Sequence, residues 1–412
     1  MFRKLLTLDQ AKKLIDDLEF EPLGSEEISL QEAHGRILAE DVISNFNIPP
    51  FDRSTVDGYA VKSEDSFGAE ENLPVHLRLV GTVNIGELPS MNILKGEMAE
   101  IVTGAPIPHG ADAVIMVEDT ERKNETVDVF SPVAKNENIM QKGTDIRKGE
   151  TILQKGQALG SREMGVLAAI GRAKIAVFVV PLVAVLSTGS EVTEPGRDLS
   201  PGRIYDINSF SLSGAVFESG GKPINMGVAP DEKTKLRETL EKALSLADIV
   251  VTSAGVSVGP KDILPQTIDS LGKPGLVFSG IAVKPGKPTT MAVIGRKPVF
   301  SLPGHPASAL LVFNLITQPV IQKLAGRGSD KAETVKALAG TRMFSAKGRR
   351  TFVMVNLRKV GPNHLLAVPV ETGASGAITT LAKANGYVEI PENLQFIDEN
   401  DEVTVTLFRG TM

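Results

Sequence analysis

The sequence predicts a multidomain α/β protein in which a central, mostly parallel sheet carries the binding site. Three observations favour this fold class. The chain has 412 residues, more than a single hydrophobic core usually holds. Strand, loop and helix patterns alternate over residues 175–328, as expected for right-handed βαβ units. Short strands punctuated by glycine and proline lie on both sides of that region and indicate smaller β-domains.

The composition excludes several classes of function. Hydrophobic residues make up 42% and charged residues 23% of the chain, which is typical of globular protein. A net charge of −6 without a long block of either sign disfavours a nucleic-acid partner. The chain has no cysteine and five scattered histidines, so disulfides, thiolate zinc sites and a cysteine nucleophile are excluded, and any metal is expected to be bound by oxygen.

The same survey predicts a cytoplasmic protein without a membrane partner. The first 17 residues, MFRKLLTLDQAKKLIDD, lack the apolar core and small-residue cleavage site of a secretion signal. The longest apolar run, residues 175–186, is broken by Pro181 and is too short to span a bilayer.

Two separate segments, residues 1–50 and 136–174, are predicted to form one elongated framework domain. Thr7 and Gln10 form a capping-box pattern, which predicts a first amphipathic helix. The predicted apolar face of that helix consists of Leu8, Ala11, Leu14, Ile15 and Leu18. A second capping pair, Ser29 and Glu32, predicts a short helix, and residues 161–169 predict another.

Residues 51–135 predict a small β-domain inserted into this framework. Strands are expected over residues 76–80, 99–102, 113–117 and 126–130, because no long window keeps a helical period. Asp57 and Gly58 predict a tight turn before a strand that begins at Tyr59. Thr103 lies on a loop of the same domain. Taken alone, Asp57 is best explained as a turn residue.

Three loops of the α/β domain, residues 175–328, share one design. Residues 187–191, 252–262 and 301–306 each follow an apolar strand with small residues and then a polar group. If the strands are parallel, the loops meet at one edge of the sheet, where backbone N–H groups can hold phosphate-like oxygens. Lys284 and Lys287 flank a Pro-Gly turn, which is interpreted either as a cation pair for a ligand or as a solvated basic hairpin.

Residues 329–412 predict a C-terminal β-domain.

Familiar catalytic signatures are missing. No loop supplies the dinucleotide pattern G-x-G-x-x-G, and residues 280–287 depart from a phosphate-binding loop in spacing and in having Pro288. No His-Glu-x-x-His or Gly-x-Ser-x-Gly motif occurs. Hydride-transfer, protease and esterase functions are therefore unsupported.

The remaining candidates are carboxylates without a nucleophile beside them. They are Glu191, Asp206, Asp231 and Asp262, together with Asp57 in the small β-domain. Each alone is explained by a cap or a turn. Beside lysines and a phosphate-binding edge they suit Mg²⁺ and indicate phosphoryl or nucleotidyl chemistry on an anionic ligand, and spacing carries the prediction no further.

Six motifs in order resemble the molybdopterin molybdenumtransferase family over nearly the whole chain. They are residues 50–60 (PFDRSTVDGYA), 103–105 (TGA), 186–191 (LSTGSE), 255–259 (GVSVG), 284–288 (KPGKP) and 302–306 (LPGHP). The resemblance implies four-domain subunits that form an elongated homodimer. It also implies an active site shared between the α/β domain of one subunit and the small β-domain of the other.

The resemblance implies a reaction in which molybdate is inserted into adenylylated molybdopterin and AMP is released, with Mg²⁺ required. The implied catalytic residues are Asp57, Thr103, Glu191, Asp231 and Asp262, of which Glu191 and Asp262 are the candidate metal ligands. The implied substrate-binding residues are Ser187, Thr188, Gly189, Asp206, Asn208, Gly255, Ser257, Gly259, Lys284, Lys287, Pro303, Gly304 and Ser375. Lys284, Lys287 and Ser375 are expected to face the oxyanion.

Three departures from the family pattern leave the identity of the oxyanion substrate open. Gly280 and Met354 stand where the family often has basic residues, and His305 stands where it often has Asn. Arg349 or Arg350 is a candidate replacement at the second position, because guanidinium binds oxyanions well. The alternatives are a tungstate-preferring homologue and a molybdopterin-binding scaffold without turnover. The candidate protein partners are molybdopterin adenylyltransferase and molybdoenzyme maturation proteins.

Overall fold

The structure is a computed structural model that describes residues 5–254, 263–328, 332–361, 364–370 and 378–408. The chain divides into two compact units. The first consists of Met1–Ala39, Gly156–Leu159 and Ile175–Met412, and the second of Glu40–Lys155 and Gly160–Lys174. Across the described ranges, no helix is both long enough and apolar enough to cross a membrane.

The helices begin where the sequence supplies caps or apolar periodicity. The α-helices are Leu8–Asp16, Ser161–Ala169, Asn208–Glu218, Lys233–Leu246, Ile263–Asp269, Pro306–Val312, Gln318–Leu324 and Thr379–Lys383. Short 3₁₀ turns occupy Leu30–Glu32, Ser63–Ser66 and Val117–Asp119, and a π-helical turn, Phe313–Thr317, joins two α-helices. The predicted capping boxes at Thr7 and Ser29 are both present.

One residue of the predicted apolar face of the first helix is more exposed than the others. Leu8, Ala11 and Ile15 are buried, whereas Leu14 is 37% exposed. Successive residues of an α-helix lie about 100° apart round its axis, so Leu14 sits well away from its neighbour Ile15 and at the edge of the apolar stripe.

A six-stranded sheet forms the centre of the first unit. Its strands lie in the order Lys222–Ala229, Leu182–Thr188, Ile249–Ala254, Lys297–Pro303, Thr290–Ile294 and Pro274–Ser279. The first four are parallel to one another, Thr290–Ile294 is antiparallel to them, and Pro274–Ser279 is antiparallel to Thr290–Ile294. This confirms the predicted α/β architecture, with antiparallel pairing at one edge.

Both faces of this sheet are covered by apolar clusters, which explains the continuous apolar runs of its strands. On one face, Val183, Val185 and Val251 pack in a cluster with Leu212 and Phe313. On the other face, Ala184, Leu186 and Val250 share a cluster with residues of the helix Lys233–Leu246.

A five-stranded closed barrel follows in the same unit. Its strands are Arg350–Val360, His364–Pro369, Thr334–Ala339, Glu402–Leu407 and Gly386–Ile390, and the last pairs with the first. Val283–Lys284 adds to it by pairing in parallel with Arg350 and Thr351. The barrel core includes Val355, Ala367 and Val405, and the prediction of a C-terminal β-region is confirmed.

The second unit contains another six-stranded sheet. Its order is Ala113–Met116, Gly58–Val61, Glu97–Ile101, Val75–Val83, Thr126–Val129 and Thr120–Lys123.

Two-stranded pairings across both units complete the described strands: Val42–Ile43 with Thr151–Leu153, Arg53–Ser54 with Ile139–Met140, Ser25–Ser29 with Lys174–Phe178, Val192–Thr193 with Ile204–Tyr205, and Met343–Phe344 with Phe396–Ile397. The domain limits at residues 50, 135, 174 and 328 stay predictions.

Candidate functional site

The ends of the parallel strands form one wall of a large cleft. Thr188 pairs with Ala254, and Ala254 pairs with Pro303, so the three strands end at the same level. The cleft has a volume of about 1070 Å³, which is large enough for a cofactor-sized ligand. The predicted residues that line it are Ser187, Thr188, Glu191, Asp206, Asn208, Lys284, Lys287, Pro303 and Gly304. The predicted convergence of the loops is therefore observed for the part of the chain described.

A buried carboxylate organises the start of the helix Asn208–Glu218. Asp206 is 5% exposed, and its Oδ1 accepts hydrogen bonds from the Ser187 hydroxyl at 2.7 Å and from the Ser209 N–H at 3.1 Å. The second bond satisfies one of the free N–H groups at the helix start. Asp206 thus fixes the Ser187 side chain at the floor of the cleft.

Asn208 links three of the cleft's elements. Its Nδ2 donates to Ser253 Oγ at 2.6 Å and to the Gly304 carbonyl at 2.7 Å. Its Oδ1 is buried and has no hydrogen-bond partner among the described residues. A buried carbonyl oxygen without a partner costs free energy, and this one belongs to a residue of the cleft wall, where a ligand N–H could donate to it.

The Lys-Pro-Gly-Lys turn is held close to the helix Pro306–Val312. Gly286 has φ +112°, and a Cβ at that position would lie 2.4 Å from Val312 Cγ2, so only glycine fits there. The turn leaves Lys284 exposed and Lys287 half-buried on the cleft wall. Neither lysine forms an ion pair with a carboxylate of the described ranges.

Two neighbouring arginines have different roles. Arg350 binds both oxygens of Asp9, at 2.9 and 2.7 Å, and also pairs with Glu389 and Glu392. The hydrogen bonds from Arg350 to Asp9 lower the pKa of the Asp9 carboxyl. Arg349 has no carboxylate partner in the part of the chain that is described, and it lines the cleft. Of the two candidate replacements for the missing basic residue, only Arg349 is in position.

Among the described residues that line it, the cleft is electropositive, because four are basic and two are acidic. The basic residues are Arg203, Lys284, Lys287 and Arg349, and the acidic residues are Glu191 and Asp206. Asp206 Oδ1 already accepts hydrogen bonds from Ser187 and Ser209, and the excess positive charge is available to an anionic ligand. Arg203 was not predicted, because it lies on an exposed segment between two short strands and carries no motif.

Other residues at the strand ends lie beside the cleft or at its rim. Gly189 has φ +147° and allows the chain to turn toward the exposed carboxylate of Glu191. Asp231 is exposed, and its Oδ2 accepts a hydrogen bond of 3.3 Å from the Ser190 N–H. Gly189 and Asp231 therefore contact the Ser187 loop but are not cleft-lining residues. His305 does line the cleft.

Asp57 and Thr103 form a second polar group, in the other compact unit. Both are exposed. Asp57 Oδ1 accepts hydrogen bonds from the Thr103 N–H at 2.7 Å and from its hydroxyl at 2.9 Å. These bonds hold the pKa of Asp57 below its usual range, and the bond from the backbone N–H contributes most. The pair was predicted as two site residues, and the structure brings them into direct contact.

Five predicted site residues lie outside the described residues: Gly255, Ser257, Gly259, Asp262 and Ser375. Within the described ranges, no group of three or more acidic or histidine side chains could hold a metal ion.

Comparison with known proteins matches three consecutive regions of the chain to family models. Residues 6–171 match the MoeA N-terminal region (domain I and II), residues 184–323 match a probable molybdopterin binding domain, and residues 336–408 match the MoeA C-terminal region (domain IV). The cleft's strand ends all lie in the second region.

Several similar proteins are named molybdopterin molybdenumtransferase. A molybdopterin molybdenumtransferase of Haemophilus influenzae is 34% identical over 98% of this chain and 99% of its own length. One of a Nostoc species is 34% identical over 92% of this chain and 88% of its own. Two solved molybdopterin biosynthesis MoeA structures from Pyrococcus horikoshii are 43% and 35% identical, with TM-scores of 0.88 and 0.82, and cover 99% and 98% of this chain and all of theirs.

The fold and the cleft define a multidomain α/β protein built around a molybdopterin-binding type of domain. More particularly, the chain belongs to the molybdopterin molybdenumtransferase (MoeA) family. The resemblance inferred from six sequence motifs is thereby confirmed.

Proposed function

We propose that this protein inserts molybdate into adenylylated molybdopterin and releases AMP, completing molybdenum cofactor biosynthesis. The observation that carries this proposal is the electropositive cleft of about 1070 Å³ at the ends of the parallel strands. It lies in the region that matches a probable molybdopterin binding domain. Molybdenum binds the two dithiolate sulfurs as one molybdate oxygen leaves with the two thiol protons as water. A water molecule cleaves the phosphoanhydride bond of the adenylylated substrate, so that AMP leaves and the molybdopterin keeps its phosphate.

The basic wall supplies the groups that bind the anions. Lys284 and Lys287 bind the oxyanion as point charges, and the planar guanidinium of Arg349 offers two parallel donors to it. Fixed positive groups that face developing negative charge need no rearrangement during the reaction, which favours catalysis. Ser375, which lies outside the described residues, completes the proposed oxyanion set.

The opposite wall positions the organic part of the substrate. Ser187 and Thr188 offer hydroxyl groups at the strand end, and the unpartnered Oδ1 of Asn208 accepts a hydrogen bond from a ligand N–H. Gly255 and Gly259, which lie outside the described residues, are proposed to let the backbone approach the substrate phosphate, and Ser257 is proposed to add a hydroxyl. The roles of Ser187, Thr188 and Asn208 rest on their positions in the cleft and on the chemistry of their donors and acceptors.

Magnesium fits this donor set. Mg²⁺ usually binds through one or two carboxylates together with substrate phosphate oxygens. Glu191 is exposed on the cleft wall, and its side chain accepts no hydrogen bond from the described residues. Asp206 Oδ1, by contrast, is already engaged by Ser187 and Ser209. Glu191 and Asp262 are the proposed ligands, and the ion would neutralise charge on the phosphates.

We further propose that the site is shared between two subunits of a homodimer. Asp57 and Thr103 present a carboxylate whose lowered pKa keeps it ionised, and they are proposed to approach the cleft of the partner subunit. Asp231 and Gly189 support the Ser187 loop at the rim of that cleft.

The proposal is tested by an AMP-release assay on the full-length protein with adenylylated molybdopterin, Mg²⁺ and either molybdate or tungstate. We expect oxyanion-dependent AMP release, and the ratio of rates with the two oxyanions decides between molybdate and tungstate preference. The Lys287→Ala variant should lose at least about tenfold in kcat/KM, since it removes a charge-assisted contact.

Lys297→Ala is the matched control for this assay. Lys297 donates to the Leu244 carbonyl at the far end of the same sheet and should leave the rate unchanged. A protein that binds molybdopterin but never releases AMP would overturn the enzymatic proposal in favour of a scaffold.

A further inference from the structure

A second cavity, separate from the electropositive cleft, lies within the first unit between the helical segment 306–324 and the barrel. Its volume is about 480 Å³, which falls in the range of small-molecule pockets. One wall is the helical segment, and the other comes from the barrel strands that carry Met354, Tyr387 and Thr406, together with the helix Thr379–Lys383. None of these residues lines the electropositive cleft.

The helical wall carries a stripe of amide side chains. Asn314 in the π-helical turn and Gln318 and Gln322 in the following α-helix are spaced four residues apart, and all three line the cavity. Gln322 is only 6% exposed. Burying amide groups between two packed surfaces costs free energy unless they find hydrogen-bond partners. Their alignment favours a polar occupant.

The barrel wall contributes an unused hydroxyl. Thr380 is 3% exposed and lines the cavity, and its Oγ1 has no hydrogen-bond partner among the described residues. A buried hydroxyl of this kind is satisfied most simply by a ligand atom or a bound water.

Charge and aromatic content define what this cavity accepts. Its lining includes the exposed carboxylate of Glu333 and the aromatic rings of Tyr387 and Phe408. A second lining carboxylate, Glu218, already makes another interaction. Carboxylates and ring faces both attract cations. We infer that the cavity is a binding site for a small organic cation, an amine with a flat apolar body, distinct from the anion-binding cleft.

Three indole compounds of similar size test this inference on the full-length protein. Tryptamine is cationic, tryptophol is neutral and indole-3-acetate is anionic. Isothermal titration should give saturable binding of tryptamine, about 5- to 30-fold tighter than tryptophol, because a partly exposed ion pair and a cation–π contact each add a modest amount. Indole-3-acetate should not bind this cavity.

Two variants locate the binding. Glu333→Gln should reduce the preference for tryptamine over tryptophol by about two- to fivefold. Glu399 is an exposed acid on the barrel away from the cavity, so Glu399→Gln should leave that preference unchanged. Thr380→Val keeps the side-chain shape and removes the hydroxyl, so it should weaken tryptamine and tryptophol alike by about two- to tenfold.

The inference is overturned if none of the three compounds binds, or if indole-3-acetate binds as tightly as tryptamine. Equal effects of Glu333→Gln and Glu399→Gln would also overturn it, since the charge that attracts tryptamine would then lie elsewhere. Loss of tryptamine binding in Lys284→Ala would assign the binding to the electropositive cleft and likewise reject the second site.

Discussion

At the residue scale, the exposed pair Asp57 and Thr103 shows how hydrogen bonds change the pKa of a carboxyl group. Thr103 donates two hydrogen bonds to a single oxygen of Asp57. Hydrogen bonds to a carboxylate stabilise its charged form, which is why the pKa of Asp57 lies below its usual range. The carboxylate is therefore ionised at neutral pH.

Replacing Thr103 separates the effect of its hydroxyl on the pKa of Asp57 from the effect of its backbone N–H. In Thr103→Val the hydroxyl donor is lost, and the pKa of Asp57 should rise while remaining below its usual value, because the stronger bond from the N–H is kept. Thr103→Ser keeps the hydroxyl and should leave the pKa in place. NMR titration of the Asp57 side-chain carbon measures both, and equal pKa values in the two variants would contradict the role of the hydroxyl.

Asp206 illustrates a buried carboxylate whose contribution is structural. Asp206→Ala would leave the Ser187 hydroxyl and the Ser209 N–H without their acceptor, at a cost of about 1–3 kcal/mol. Asp206→Asn keeps an acceptor oxygen in the same place and should cost less. Thermal unfolding monitored by circular dichroism should therefore rank wild type, Asn and Ala in falling order of midpoint; an Ala variant as stable as wild type would refute this role.

At the element scale, the start of the strand Arg350–Val360 divides two functions between adjacent arginines. Successive side chains of an extended chain point to opposite sides. Arg350 consequently reaches Asp9, Glu389 and Glu392, while Arg349 faces the cleft. One arginine ties the first helix to the barrel, and its neighbour contributes positive charge to the site.

Alanine variants of the two arginines should separate stability from binding. Arg350→Ala should lower stability by about 1–2 kcal/mol, since its partners are largely exposed and each pair contributes little. Arg349→Ala should leave stability within about 0.5 kcal/mol and weaken molybdate binding. Urea titration and isothermal titration measure the two properties, and the opposite assignment would reject this division.

The stability supplied by Arg350 should also depend on pH. Hydrogen bonds from Arg350 are the main cause of the lowered pKa values of Asp9 and Glu392. A group whose pKa is lowered on folding adds stability above its unfolded pKa, about 4 for both residues, and loses it as the pH falls through the folded value. The difference in unfolding free energy between wild type and Arg350→Ala should thus be constant near neutral pH and shrink below about pH 4.

At the scale of the whole molecule, the proposed shared site places Asp57 and Lys287 of one chain in two different active sites of a dimer. Asp57→Asn and Lys287→Ala should each abolish most activity. In a mixed dimer, one site would carry both substitutions and the other would carry neither.

Mixing the two variants after reversible dissociation should therefore restore about a quarter of the wild-type activity, because about half of the dimers are mixed and each has one intact site. Mixing Asp57→Asn with Glu191→Gln provides a second pair with the same expectation. A mixture as inactive as its components, with subunit exchange demonstrated by mass spectrometry, would show that the site is not shared.

Local patterns in the sequence were sufficient for most of the elements. The capping boxes at Thr7 and Ser29, the helix Ser161–Ala169 and the strands of the central sheet follow from hydrogen bonds and apolar periodicity within a few residues. The shared design of the loops after three strands also predicted that Ser187 and Pro303 would meet in one site, since parallel strands end at a common edge.

The sequence by itself determined the fold class, the family and the set of loops that form the cleft, because these depend on local periodicity and on ordered motifs. The tertiary structure alone decided that Arg349, and not Arg350, faces the cleft, that Met354 lines a different cavity and that Asn208 keeps an unpartnered oxygen. Each of these depends on the pairing of Val283–Lys284 with the barrel strand or on contacts between residues far apart in the chain. Such contacts leave no periodic pattern, so they could not be predicted from the order of residues.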